Sequence, residues 1–141
     1  MPGTRLREAQ PRLRRYIEGT LRQAPFELDA DQRTITLHAI CEVCRYKDWR
    51  LLAAQVRSSH VHIVVDAQVS PELVMNAFKA YASRALNLAY PKERERIRWT
   101  RHGSTRHLWS PEKIDAAMRY VLDKQGEPMA CYCFPTPLSA P

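Results

Sequence analysis

No stretch of this 141-residue chain approaches the roughly 18 consecutive apolar residues that a membrane-spanning helix needs, so a membrane span is excluded. The N-terminus carries Arg5, Arg7, Arg12, Arg14 and Arg15, but it lacks the apolar stretch and small-residue cleavage site of a secretory signal. A cytoplasmic location is therefore expected. There is no internal repeat, which excludes a stacked-repeat architecture. The chain is too short for two comfortable domains, so any site must be assembled within one core or across a homo-oligomer. Acidic residues are also scarce, with 15 Asp and Glu against 22 Lys and Arg and a formal charge of +7. That imbalance makes a polyanion the default partner, and the arginines that dominate it suit bidentate phosphate contact.

The composition itself, 45% hydrophobic and 26% charged, is that of a globular domain. Its four cysteines fall in two pairs, Cys41-x-x-Cys44 and Cys131-x-Cys133. Two such pairs can form a four-thiolate zinc site, or Cys41 and Cys44 can pack as small hydrophobes on a helix's apolar stripe. A reducing cytoplasm would keep all four as thiols.

Residues 1–28 read as a basic segment interrupted by Pro2, Pro11 and Pro25, with room for one short helix over 12–23. From Asp31, Leu37, Ile40, Cys41 and Cys44 repeat at helical spacing to about Lys47, with Asp29 or Asp31 as N-cap. Arg50–Val56 and His60–Val65 are rich in aliphatic and β-branched residues and are separated by three residues, which predicts a hairpin. Ser70-Pro71-Glu72 and Ser110-Pro111-Glu112 each supply a cap, a first-turn proline and an acid, so each opens a helix. Between those helices, Arg94, Arg96, Arg98, Arg101 and Arg106 alternate with Trp99, His102, His107 and Trp109. Residues 29–134 are thus expected to form an α+β domain, with helices on one face of an antiparallel sheet. A short strand near Ala130–Phe134 and a Pro-rich tail over 135–141 complete the chain.

Side chains two apart on a strand share a face, which places His60 and His62 roughly 6 to 7 Å apart, on the side opposite Val61. Two imidazoles so placed can share a divalent cation, or they are two surface histidines at chance spacing. The apolar run Ile63-Val64-Val65 argues that the strand is central and that its histidines have a reason to be there. On the last helix, Ile114, Ala117, Met118, Val121 and Leu122 form one stripe and Tyr120 lies off it. Tyr120 is then either a half-exposed amphipathic side chain or a nucleophile able to attack a phosphodiester.

With these residues in place, the chain resembles the single-tyrosine HUH transposases of small insertion sequences, and among them the REP-associated tyrosine transposases. His60-Val61-His62 is similar to the His-hydrophobic-His motif that names the class. Phe78-Lys79-Ala80-Tyr81-Ala82-Ser83 with Asn87 looks like the helix following that strand, and Met118-Arg119-Tyr120-Val121 with Lys124-Gln125 looks like the helix bearing the catalytic tyrosine. The resemblance covers about residues 30–130. It implies a ferredoxin-like sheet, often dimeric, and cleavage of single-stranded DNA near hairpins through a 5′-phosphotyrosine, with Mg2+ or Mn2+ as cofactor.

Two features depart from the family pattern. The third metal ligand is usually a polar side chain one turn after the tyrosine, where this chain has Lys124; Gln125 is the choice the resemblance favours, with Asp123 or no third ligand as the alternatives. The family's first strand has no clear counterpart ahead of Asp31. For DNA, the expected contacts are Arg98, Arg101 and Arg106 on the backbone and Trp99 or Trp109 under an unpaired base, with Lys79 and Arg84 along the groove.

Overall fold

A computed structural model describes residues 15–22, 27–94, 96–100, 103–123 and 129–133. In chain order its elements are β1 (Tyr16–Arg22), α1 (Ala30–Lys47), β2 (Arg50–Val56), β3 (His60–Asp66), α2 (Pro71–Ala89), a short 3-10 turn, β4 (Ser104–Leu108), α3 (Pro111–Asp123) and β5 (Ala130–Cys133). The strands form one sheet in the order β4-β1-β3-β2-β5, and every neighbouring pair is antiparallel. The first six major elements, β1-α1-β2-β3-α2-β4, are a ferredoxin-like unit, to which α3 and β5 are added.

Local chemistry accounts for the helix ends. Asp29 and Gln32 make a reciprocal capping box at the start of α1, and Asp48 closes its other end with φ 61°. The Ser70 hydroxyl accepts from the amide of Leu73, and the Ser110 hydroxyl from that of Lys113. Each serine is followed by a proline whose missing N–H costs nothing in the first turn.

The strand that sequence reasoning could not place is β1, which runs through residues expected to be a helix or an irregular arm. Tyr16–Arg22 pairs with β3 on one side and β4 on the other, so it is interior to the sheet rather than part of a segment preceding it. Its alternation is masked by Gly19, which lies between Ile17 and Leu21 on the core face. A Cβ there would come within 2.6 Å of the Met75 methyl of α2, so the glycine makes room for the helix. Ile17 and Leu21 stand four apart, a spacing that suits a helix and a strand equally.

The helices are divided between two faces, where the sequence reading had placed them on one. Ile17, Leu21, Val61, Ile63 and Val65 point toward α1 and α2 and join Ile40, Val43, Val74, Phe78 and Leu86 in the main core. On the opposite face Leu52, Val64 and Leu108 pack against Ala117 and Val121 of α3. Strand alternation therefore sends His60 and His62 to the α3 side, the same side as Val64.

Candidate active site

His60 and His62 open β3, which lies between β1 and β2. Their rings are 6.0 Å apart and nearly parallel, with 23° between planes. A hydroxyl neighbours Nδ1 of each ring: Ser59 Oγ lies 2.9 Å from that of His60, and Thr20 Oγ1 lies 3.4 Å from that of His62. Such contacts at Nδ1 leave Nε2 as the ligating nitrogen of each imidazole. Burial, followed by the nearby charges of His60 and Arg57, pushes the His62 pKa down, with Glu18 opposing. His62 is thereby favoured in the neutral form that coordinates metals.

Tyr120 arrives from α3. Ala117 and Val121 of that helix are buried against the sheet, and about 100° per residue then turns Tyr120 sideways, where it is 49% exposed. Its ring meets that of His62 edge-on at 6.4 Å. The two sit with Glu18, Thr20, Ser104, Thr105 and Arg106 around a cleft of about 380 Å³. Arg106 reaches Glu18 at 2.6 Å and is 70% exposed, and Arg22 is the register partner of His60. Tyr120, His62 and several cations thus share one open face.

The expected DNA contacts fall into two groups. Arg106 borders the cleft, and Arg84 is exposed with its guanidinium over the ring of Tyr81. Arg98, by contrast, is buried, its guanidinium bonded to Asn87 at 2.9 Å and paired with Glu93 at 3.6 Å. Trp99 packs against the main core and donates to Ser83, and Lys79 donates to the carbonyl of Thr100. Arg98 and Trp99 are turned inward and, with Lys79, tie the chain after the 3-10 turn onto α2. The exposed tryptophan is Trp109, beside a second pocket of about 540 Å³ with Tyr16, Leu52, Ile114 and Met118. Arg101 and Gln125 lie outside the described residues.

Among the described residues no three His, Cys, Asp or Glu side chains converge on a metal position. The two imidazoles are chemically apt donors for a divalent ion, and Asp123 does not join them in such a group. Nor is a four-thiolate site assembled: Cys44 is buried and Cys41 half-buried on α1, whereas Cys131 and Cys133 are exposed on β5. Sequence reasoning missed Glu18 and Thr20 because it missed β1. It also passed over Gln55, a fully buried amide opposite His62 on β2, although a lone glutamine among Leu51, Leu52, Ala53, Ala54 and Val56 was a visible signal.

Comparison with known proteins bears on the family and the fold. The family profile described as transposase, IS200-like, matches residues 22–121. Among solved structures, a REP-associated tyrosine transposase bound to a REP hairpin superposes with a TM-score of 0.59 at 15% identity, covering 82% of this chain and 70% of the other. A candidate transposase from Deinococcus radiodurans R1 gives a TM-score of 0.54 at 13% identity, with 82% and 93% covered. Curated protein sequences contain no significant match to the chain.

Proposed function

This chain belongs to the IS200-like transposase family, and on that premise we propose that it cleaves and rejoins single-stranded DNA through Tyr120. The observation that carries this reading is the meeting of Tyr120 and His62 on one face of the sheet, with ring centroids 6.4 Å apart within a single chain. The phenol oxygen attacks a DNA phosphorus, a Tyr120–phosphate bond forms, and the bond from phosphorus to the 3′ oxygen breaks. The phenol gives up its proton, and the leaving 3′ oxygen takes one to become a hydroxyl. Attack by another strand's 3′-hydroxyl on the 5′-phosphotyrosine reverses the exchange and frees the tyrosine.

His60 and His62 would hold Mn2+ or Mg2+, whose charge polarises a phosphate oxygen when bound. Nitrogen donors favour Mn2+ of the two, since Mg2+ prefers oxygen ligands. Arg106 at the cleft and Arg22, opposite His60 on β1, supply phosphate contact, while Trp109 offers an exposed ring for stacking an unpaired base. Hairpin-bearing single-stranded DNA is the proposed substrate, by analogy with the relative bound to a REP hairpin. Nucleophile and imidazoles come from one chain, so a homodimer would duplicate this pairing rather than create it.

The test is incubation of the full chain with a labelled hairpin oligonucleotide and Mn2+, followed by a denaturing gel. Wild type should form a covalent adduct, and Tyr120→Phe should form none while binding the same DNA. An adduct surviving that substitution removes Tyr120 from the role. A second reading, a nucleic-acid-binding module without strand transfer, is favoured by the exposed guanidinium of Arg106 beside the cleft, which can contact phosphate without a metal. It would appear as salt-sensitive binding with no adduct and no response to Mn2+.

A further inference from the structure

Gln55 is 0% exposed and is the register partner of His62 on β3. Its side chain bonds to three separate segments. Nε2 donates to the carbonyl of Val121 at 2.6 Å, while Oε1 accepts from Arg57 Nη1 at 2.8 Å and from the amide of Met129 at 3.1 Å. Donors meet the oxygen and an acceptor meets the nitrogen, which fixes the amide in one orientation.

The Val121 carbonyl belongs to the last described turn of α3. It also follows Tyr120 directly in the chain. The Met129 amide precedes β5, so one side chain holds the helix end on one side of residues 124–128 and the strand start on the other. A glutamine carried into the core only to fill space would leave its polar atoms unpaired at substantial cost. Here one contact reaches the residue that follows Tyr120, and another reaches Arg57, whose charge acts on His62.

We propose that Gln55 is the positioning residue for Tyr120: its amide, buried beside His62, donates to the carbonyl of the residue after the tyrosine, and so fixes the tyrosine's turn of α3 against the strand. The catalytic consequence rests on the strand-transfer reading above, whereas the mechanical one stands on its own. Ionised glutamate at this position would still accept from Arg57 and Met129 but could not donate to Val121, so Gln55→Glu removes the one contact the proposal depends on. Gln55→Leu removes all three.

The experiment is hydrogen exchange on the full chain, paired with the single-turnover rate of adduct formation on the hairpin oligonucleotide. In Gln55→Glu the amides of residues 118–123 should exchange about tenfold faster, the scale of one lost buried bond, while those of α1, α2 and β1 to β3 keep wild-type protection. Adduct formation should slow by a similar factor at unchanged oligonucleotide Kd. In Gln55→Leu residues 129–133 should loosen as well. Wild-type exchange at 118–123 in both variants, or a uniform loss of protection across the chain, overturns the proposal. If wild type itself forms no adduct, the strand-transfer reading fails, and the exchange pattern still decides whether Gln55 holds the helix end.

Discussion

Thr20 and His62 face each other across the β1–β3 pair, with the threonine hydroxyl 3.4 Å from the imidazole Nδ1. The contact orients the ring and leaves Nε2 as the remaining nitrogen for ligation. Outer partners of this kind are worth roughly 10- to 100-fold in metal affinity. Thr20→Val keeps the shape and the β-branch, so the fold should stand while Mn2+ binding weakens about tenfold by calorimetry. An unchanged Mn2+ Kd in a folded Thr20→Val protein would remove Thr20 from the site.

The proton affinity of His62 makes a separate prediction. Burial, then the charges on His60 and Arg57, lowers its pKa from the ordinary value of 6.5. A depressed folded value means that the unfolded chain binds the proton more readily. The stability contributed by neutral His62 is therefore complete above the ordinary value and is lost as pH falls through the folded one. In a metal-free NMR titration the His62 ring should reach its midpoint below pH 6.5. Glu18 opposes the shift, so Glu18→Gln should move the midpoint lower still. A wild-type midpoint at or above the ordinary value sinks the argument.

Most of the fold is legible in the sequence wherever local chemistry and periodicity agree. Ser70-Pro71 and Ser110-Pro111 start helices where they promise to, and the His60 strand is central, as its apolar run implies. β1 was not legible, because Gly19 breaks the alternation and answers to Met75, a residue 56 positions away. The arginines of the 94–106 segment look equivalent in sequence but part company in space. Arg98 has Asn87 and Glu93 to fold onto, while Arg106 sits on a strand whose alternation turns it to the cleft. His60, His62 and Tyr120 could be nominated from sequence, but Gln55 acquires its importance only from the helix end that packs beside it.

The cysteines offer a direct check on α1. Burial, with Cys41 beside it, pushes the Cys44 thiol up to about 12, and burial raises Cys41 as well. Since thiolate is the reactive form, Cys44 should present only about one part in 10⁴ of it at pH 8. With iodoacetamide at that pH, Cys131 and Cys133 should label first in the native chain, Cys41 more slowly, and Cys44 only once urea unfolds it. Peptide mass spectrometry resolves all four. Native labelling of Cys44 at the rate of Cys133 would place the wrong face of α1 in the core.

Arg106 and Arg98 should separate DNA contact from folding. Arg106 is exposed beside the cleft and bonded to Glu18, so Arg106→Ala should weaken single-stranded DNA binding and reduce the slope of log K against log salt by about 0.7. Glu18→Gln, which frees the guanidinium, should strengthen binding. Arg98 is buried with Asn87 and Glu93 as its partners. Arg98→Ala removes the guanidinium from Asn87 while Glu93 keeps Arg96, which should cost about 2 kcal/mol in urea unfolding while the salt slope of the folded protein stays at its wild-type value. A salt slope that responds to Arg98 and ignores Arg106 would put the DNA on a different face, because the two guanidinium groups cannot exchange surroundings without dismantling either β4 or the packing on α2.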